Sequence, residues 1–233
     1  MVYNCLTSNP VILNEARDYL DGLVLSDGNI LCKYSKTGYY QQSCKYKNWL
    51  DIVNRELGEY GIKSKVDNGQ LRTGGYNPED GSVEYHLWTL SYVEFREMHD
   101  RFYRKWYDID TYSKRYWHED KYGDWYVWRK IVPRDVCLSP VCVANWYKGD
   151  GSISNRKYSN NYYIRLATDG FIRDDAIFLS ELLSEVLDIK CSVDKRGEIG
   201  IYGRVSVSIF LNYIKDYRVD CYSKKFPGKI IDL

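Results

Sequence analysis

The sequence predicts an α+β protein made of two similar halves, each ordered helix, hairpin, helix, hairpin, helix. Three observations predict it. An apolar, helix-compatible stretch ending in Asp-Gly occurs twice, as LDGLVLSDG from Leu20 to Gly28 and as VANWYKGDG from Val143 to Gly151. Each copy runs into a segment patterned as a β-hairpin. Beyond each hairpin the same order of elements returns, so the duplication is one of architecture rather than of letters.

At 233 residues, 44% hydrophobic and 16% aromatic, the chain can bury a sizeable core, which excludes general disorder. No apolar run reaches the roughly 20 residues that span a bilayer. The opening MVYNCLTSNP lacks a basic start followed by an apolar stretch, so neither a secretion signal nor a membrane partner is expected. Seven cysteines, at 5, 32, 44, 137, 142, 191 and 221, form no CxxC pair, and only three histidines accompany them. That argues against structural zinc and for reduced thiols inside a cell, in a prokaryotic cytoplasm or an organelle. The net charge of +1 hides a segregation: residues 29–50 carry Lys33, Lys36, Lys45 and Lys47 with no acid, and residues 151–168 carry Arg156, Lys157 and Arg165 with none. Acids gather in 51–60, 94–100 and 174–188, on segments patterned as helices. One basic and one acidic surface follow, and a basic surface leaves a nucleic-acid partner open despite the small sum.

In the first half, residues 1–106, Asn14 is expected to cap a helix ending near Leu25, with Glu15 in its first turn. Gly22 and Ser26, four apart, give that helix a small-residue face for close approach. Residues 29–36 and 39–46 form a hairpin about Thr37-Gly38, in which Ile30, Cys32 and Tyr34 share one face. Tyr39, Gln41, Ser43 and Lys45 line one face of the return strand. Trp49, Leu50, Val53 and Leu57 recur at helical spacing, with Gly58 or Gly61 as the stop. Strands near 62–73 and 82–90 flank the turn-rich GGYNPEDG. Ser91 and Glu94 have capping-box spacing for a helix from Tyr92 to Trp106.

Residues 107–128, aromatic and charged, form the connector. The second half, 129–233, opens with RKIVP, after which Ser139 as N-cap and Pro140 at N1 start a helix that Gly151 stops. A basic hairpin at 152–168 turns Ile164 and Leu166 inward and Tyr163 and Arg165 outward. Asp169-Gly170 makes a turn, and 173–187 is an amphipathic helix carrying Ile177, Leu182, Leu183, Val186 and Leu187. Strands near 190–195 and 198–204 precede a helix at 206–215.

The nonamers resemble the LAGLIDADG motif that names a family of homing endonucleases. Leu20, Gly22, Leu23, Val24, Asp27 and Gly28 follow it in the first copy, and Ala144, Asp150 and Gly151 in the second. The block LSPVCVANWYKGDGS, Leu138 to Ser152, is similar to the form found in single-chain, two-motif members, as are RLATDGF (Arg165 to Phe171) and the Lys-Phe-Pro near the C-terminus. The resemblance implies two pseudo-symmetric αββαββα halves, with the motif helices packed together and the antiparallel sheets forming a DNA-binding saddle. It implies a monomer that cuts both strands of a long, nearly non-palindromic DNA target across the minor groove, leaving short 3′ overhangs. Asp21 replaces the small second residue of the motif and Asn145 the small third residue of its second copy, so a looser helix interface is expected.

Phosphodiester hydrolysis needs an activated water and a stabilised leaving oxygen, and carboxylate-held divalent ions meet both needs. If the motif helices end side by side, Asp27 and Asp150 converge on that task, with Mg²⁺ as the expected ion and Mn²⁺ or Ca²⁺ able to take the same sites. Two carboxylates so close repel one another without cations. The resemblance also implies a basic residue near each aspartate, which points to Lys130 in KIVP and Lys225 in KFP, with Arg129 or Lys224 as the alternatives. For base reading, outward strand residues of the right chemistry are Lys33, Gln41, Lys45, Lys65, Gln70, Arg72, Asn155, Arg165, Lys195 and Arg204. The same residue types would supply salt-dependent phosphate contacts. Gly200-Ile201-Tyr202 lacks the partner of another nuclease signature, and Asp150-Gly151-Ser152 lacks the distal glutamate of a calcium loop. Two other functions fit the same fold: an RNA maturase that assists intron splicing, and a DNA-binding regulator that would have no need of metal-binding carboxylates.

Overall fold

A computed structural model describes residues 10–34, 36–71, 83–110, 114–155 and 162–228. In the first half α1 (Pro10–Leu25) is followed by β1 (Asn29–Tyr34), β2 (Thr37–Cys44), α2 (Lys47–Glu59), β3 (Ser64–Val66), β4 (Gln70–Leu71), β5 (Val83–Thr89) and α3 (Val93–Phe102). Then come β6 (Tyr103–Trp106), β7 (His118–Glu119) and β8 (Trp125–Lys130). The second half is α4 (Pro140–Asp150), β9 (Gly151–Asn155), β10 (Tyr162–Leu166), α5 (Arg173–Leu187), β11 (Cys191–Val193), β12 (Ile199–Tyr202) and α6 (Arg204–Tyr213). The sheet orders are β1-β2-β5-β3, with β4 on β5, and β9-β10-β12-β11, all antiparallel. With β3 and β4 counted as one interrupted strand along β5, both sheets run first, second, fourth, third strand, and the element order repeats as the sequence predicts. Among the described residues no helix is long and apolar enough to cross a membrane.

One core serves both halves. Leu20, Leu23, Val24 and Leu25 of α1 join Cys142, Val143, Ala144 and Trp146 of α4 in a single buried cluster with the inner faces of both sheets. The two motif helices pack directly on each other. A Cβ on Gly22 would stand 2.3 Å from the Cys142 carbonyl oxygen, and one on Gly149 would stand 2.5 Å from Ser26 Cβ. The expected loosening is therefore wrong, for a geometric reason. Asp21, fully buried, is neutralised within the fold by a bidentate ion pair from Arg101 of α3 at 2.9 and 3.0 Å. Asn145 is absorbed into the contact, its Nδ2 donating to the Tyr19 carbonyl at 3.1 Å.

Several boundaries move. α1 starts at Pro10, so Asn14 lies inside the helix rather than at its cap; proline's fixed φ suits a first helical turn. Ser139 sits at the N-cap position of α4 with Pro140 at N1, but its hydroxyl makes no capping bond. Tyr92, not Ser91, caps α3, because its backbone is taken by a bridge to Gly38 (Tyr92 N to Gly38 O, 2.9 Å). α3 ends at Phe102 instead of Trp106, since residues 103–106 pair with β8 in a third sheet ordered β6-β8-β7. α6 begins two residues early, at Arg204, where Gly203 at φ +89° turns the chain out of β12.

Candidate active site

The two motif helices stop at one place. Asp27 follows the last turn of α1, and Asp150 is the last residue of α4. Asp27 Oδ2 lies 3.3 Å from the point where a Cβ on Gly149, next to Asp150, would stand. The carboxylates feel each other: burial first, and Asp27 second, push the Asp150 carboxyl from 3.8 up to about 7. Burial also raises Asp27, against the pull of Lys130 and Lys225.

Each helix end is closed by a lysine. Lys130, the last residue of β8, donates from Nζ to the carbonyls of Val24 (2.9 Å), Ser26 (3.1 Å) and Gly28 (3.0 Å). Lys225, in a 3₁₀ segment from Asp220 to Lys225, donates to Tyr147 (3.3 Å), Lys148 (2.7 Å) and Gly149 (3.0 Å). A helix leaves its last carbonyls unpaired and negative, so two unrelated local structures deliver one solution. Burial lowers both ammonium groups, Lys130 to about 8, while the two aspartates oppose that shift. The alternatives stand elsewhere: Lys224 is exposed, and the Arg129 guanidinium lies over the Trp106 ring at 4.5 Å.

Among the described residues no hydrogen-bond donor reaches the carboxylate oxygens of Asp27 or Asp150, and no cluster of three or more histidine, cysteine or acidic residues exists. Two unpartnered, mutually repelling carboxylates fit a hard divalent cation whose other ligands are water and phosphate oxygen. A cleft of about 670 Å³ opens beside Asp27, with Ser43, Lys45, Glu84 and Lys224 on its walls.

The expected base-reading residues divide. Gln41, Trp88 and Lys65 form one row across the outer face of the first sheet, and Gln70 lies opposite Glu84 on that face. Lys45 is exposed just beyond β2, its ammonium 5.2 Å from the centre of the Tyr46 ring. Arg165 is outward beside Ser152, within 3.6 Å of Glu198 and over the Tyr163 ring. Lys195 is exposed in the turn between β11 and β12 rather than on a strand. Two residues leave the outward strand faces. Register puts Asn155, exposed at the end of β9, on the side of Ile153 and the buried Ile164, so Ser152 and Ser154 take the outward places. Arg204 is the first residue of α6 and borders a groove with Val186, Val205 and Ile209, away from the strand faces. Arg72 and the Lys33 side chain lie outside the described residues.

Sequence reading missed three contributors. Trp88 is 38% exposed in the outward row, and the alternation of Glu84, His86 and Trp88 in VEYHLWT was the signal for it. Asp175, buried in the first turn of α5, accepts Val132 N at 3.0 Å and Arg134 at 2.8 Å, fixing the segment just after Lys130. Tyr103 accepts Ile30 N at 3.2 Å, tying β6 to β1. Neither of these two carries a sequence signal, because both partners are distant in the chain.

Comparison with known proteins places this geometry. Residues 120–208 match the family model of the LAGLIDADG DNA endonuclease family. An uncharacterized protein of Methanocaldococcus jannaschii is 24% identical over 220 residues, 92% of this chain and 74% of its own. Among solved structures, the homing endonuclease I-WcaI bound to its DNA recognition sequence superposes with a TM-score of 0.69 at 16% identity, covering 97% of this chain and 94% of that one. Full-length DUF199/WhiA from Thermatoga maritima reaches 0.50 at 12% identity, covering 98% of this chain and 62% of that one.

Proposed function

We propose that this chain belongs to the LAGLIDADG family, whose model matches residues 120–208, and that it is a site-specific DNA endonuclease. It acts as a monomer on a long, nearly non-palindromic duplex and hydrolyses one phosphodiester in each strand, leaving short 3′ overhangs. The observation that carries the reading is the twofold repetition of one small device: an aspartate at a helix end whose carbonyls are gathered by a lysine.

The charge balance explains the device. Two helix carboxyl ends and two carboxylates point at one spot, and an anionic backbone brought there would be repelled. Lys130 and Lys225 cancel the field of the helix ends while leaving the carboxylate oxygens without hydrogen bonds. Asp27 and Asp150 would hold a divalent ion such as Mg²⁺, which when bound would supply Lewis acidity at the phosphate and acidify a water. Around that centre the outward row of Gln41, Trp88 and Lys65 on one sheet, and Arg165 on the other, faces the two half-sites. Lys45 and Lys224 line the cleft beside Asp27 and hold phosphates.

The decisive experiment incubates the protein with a library of duplex targets and Mg²⁺. Wild type cuts both strands; Asp27→Asn or Asp150→Asn abolishes double-strand cleavage and leaves binding within a few-fold. Equal cutting by all three proteins would defeat the assignment. Binding by wild type without any cutting would favour a regulator, a reading to which the shared fold of WhiA gives weight, or an intron RNA maturase.

A further inference from the structure

The third sheet is the part of the molecule that the duplication leaves unexplained. Register puts Arg104 opposite Arg129 and Trp106 opposite Val127; Trp125, two residues before Val127, shares their face and stands opposite Glu119. This face lies outside the common core: Val127 is buried, yet it does not belong to the cluster that joins the halves. Trp125 is 48% exposed and packs on Trp117 with ring centres 6.2 Å apart.

Two features of this face oppose stability. Like charges directly opposite in an antiparallel pair repel, and neither Arg104 nor Arg129 has a carboxylate partner among the described residues. Arg104 spends Nη1 on the carbonyls of Asp100 and Tyr103, whereas Arg129 Nε is buried with no hydrogen-bond partner. A half-exposed indole likewise forgoes burial that the sheet could have offered. The same side chains are already arranged as cations over rings, with Arg129 over Trp106 at 4.5 Å and Lys114 over Trp117 at 5.7 Å. A ligand that is flat and anionic at once meets both demands.

We propose that this face binds unpaired nucleotides, bases stacking on Trp125 and its neighbours while Arg104, Arg129 and Lys114 take the phosphates. A duplex hides its base faces, so stacking selects single strands, and every base has a π-face, so it is tolerant of sequence. A peptide partner would more readily be met by carboxylates beside these cations, whereas Glu119, which register puts on this face, stands at its Trp125 end and not beside the arginine couple. The surface does not depend on the cleavage proposed above and is tested without it.

The test uses the full chain with a fluorescent thymidylate oligonucleotide, read by anisotropy and tryptophan quenching at low salt. Wild type and Asp150→Asn bind equally; Trp125→Ala weakens binding about tenfold, as the loss of one stacked base predicts. Trp125→Phe restores most of it, and Arg104→Ala flattens the salt dependence. Trp125 lies on an appended sheet, so the thermal midpoint of the alanine variant should match wild type and exclude misfolding. Absence of binding by wild type, equal binding by Trp125→Ala, or full displacement by a non-target duplex would each overturn the proposal.

Discussion

Lys130 and Lys225 do work at the helix ends that a capping glycine does elsewhere, and they do it with charge. Each satisfies three carbonyls, so its removal exposes the negative helix end to whatever occupies the site. The aspartates carry the opposite strain. Asp150, with its carboxyl raised from 3.8 to about 7, takes up a proton more readily folded than unfolded. Its contribution to stability is therefore fully present below about pH 4 and is lost as pH rises through about 7. Thermal midpoints measured across that range should fall in wild type and fall less in Asp150→Asn. Adding Mg²⁺ at pH 8 should return the wild-type midpoint upward, by mass action on the folded state, and leave the double variant Asp27→Asn, Asp150→Asn unmoved. A wild-type midpoint indifferent to Mg²⁺ would remove the metal from the site.

At the scale of elements, everything depends on how closely α1 and α4 approach. A methyl group at Gly22 or Gly149 would overlap the facing helix at 2.3 or 2.5 Å, against backbone in the first case and a serine Cβ in the second. Gly22→Ala and Gly149→Ala should each cost about 1–3 kcal/mol in urea unfolding, the usual scale of overpacking, and should slow cleavage by parting the aspartates. Gly58→Ala in α2 is the control, since a Cβ there meets nothing within 4 Å. Helix propensity alone should make it neutral or stabilising by under about 1 kcal/mol. Equal losses at all three positions would mean that the close approach is not what these glycines serve.

For the whole molecule, the shared core sets the cooperativity. Trp49, Leu50 and Leu87 of the first half and Ile164, Leu183 and Phe210 of the second belong to the same buried cluster as the motif helices. Neither half can expose its motif helix without opening the other. Far-UV circular dichroism and tryptophan fluorescence should therefore report one coincident unfolding transition; two separated transitions would show the halves to be independent.

The sequence by itself determined what is written in local periodicity. The two Asp-Gly helix ends, the repeated element order and α5 at Arg173–Leu187 follow from apolar spacing and stop signals within a few residues of each feature. Only the tertiary structure decided what depends on pairing across the chain. Residues 103–106 leave the helical pattern because β8, more than twenty positions later, claims their backbone. Asn155 loses its outward place to a register that β10 sets. Lys130 finds the carbonyls of residues some hundred positions away. A period of 3.6 or 2 can be counted along one segment, whereas a strand's partner and register are chosen by which distant surfaces bury together, and no local pattern encodes that choice.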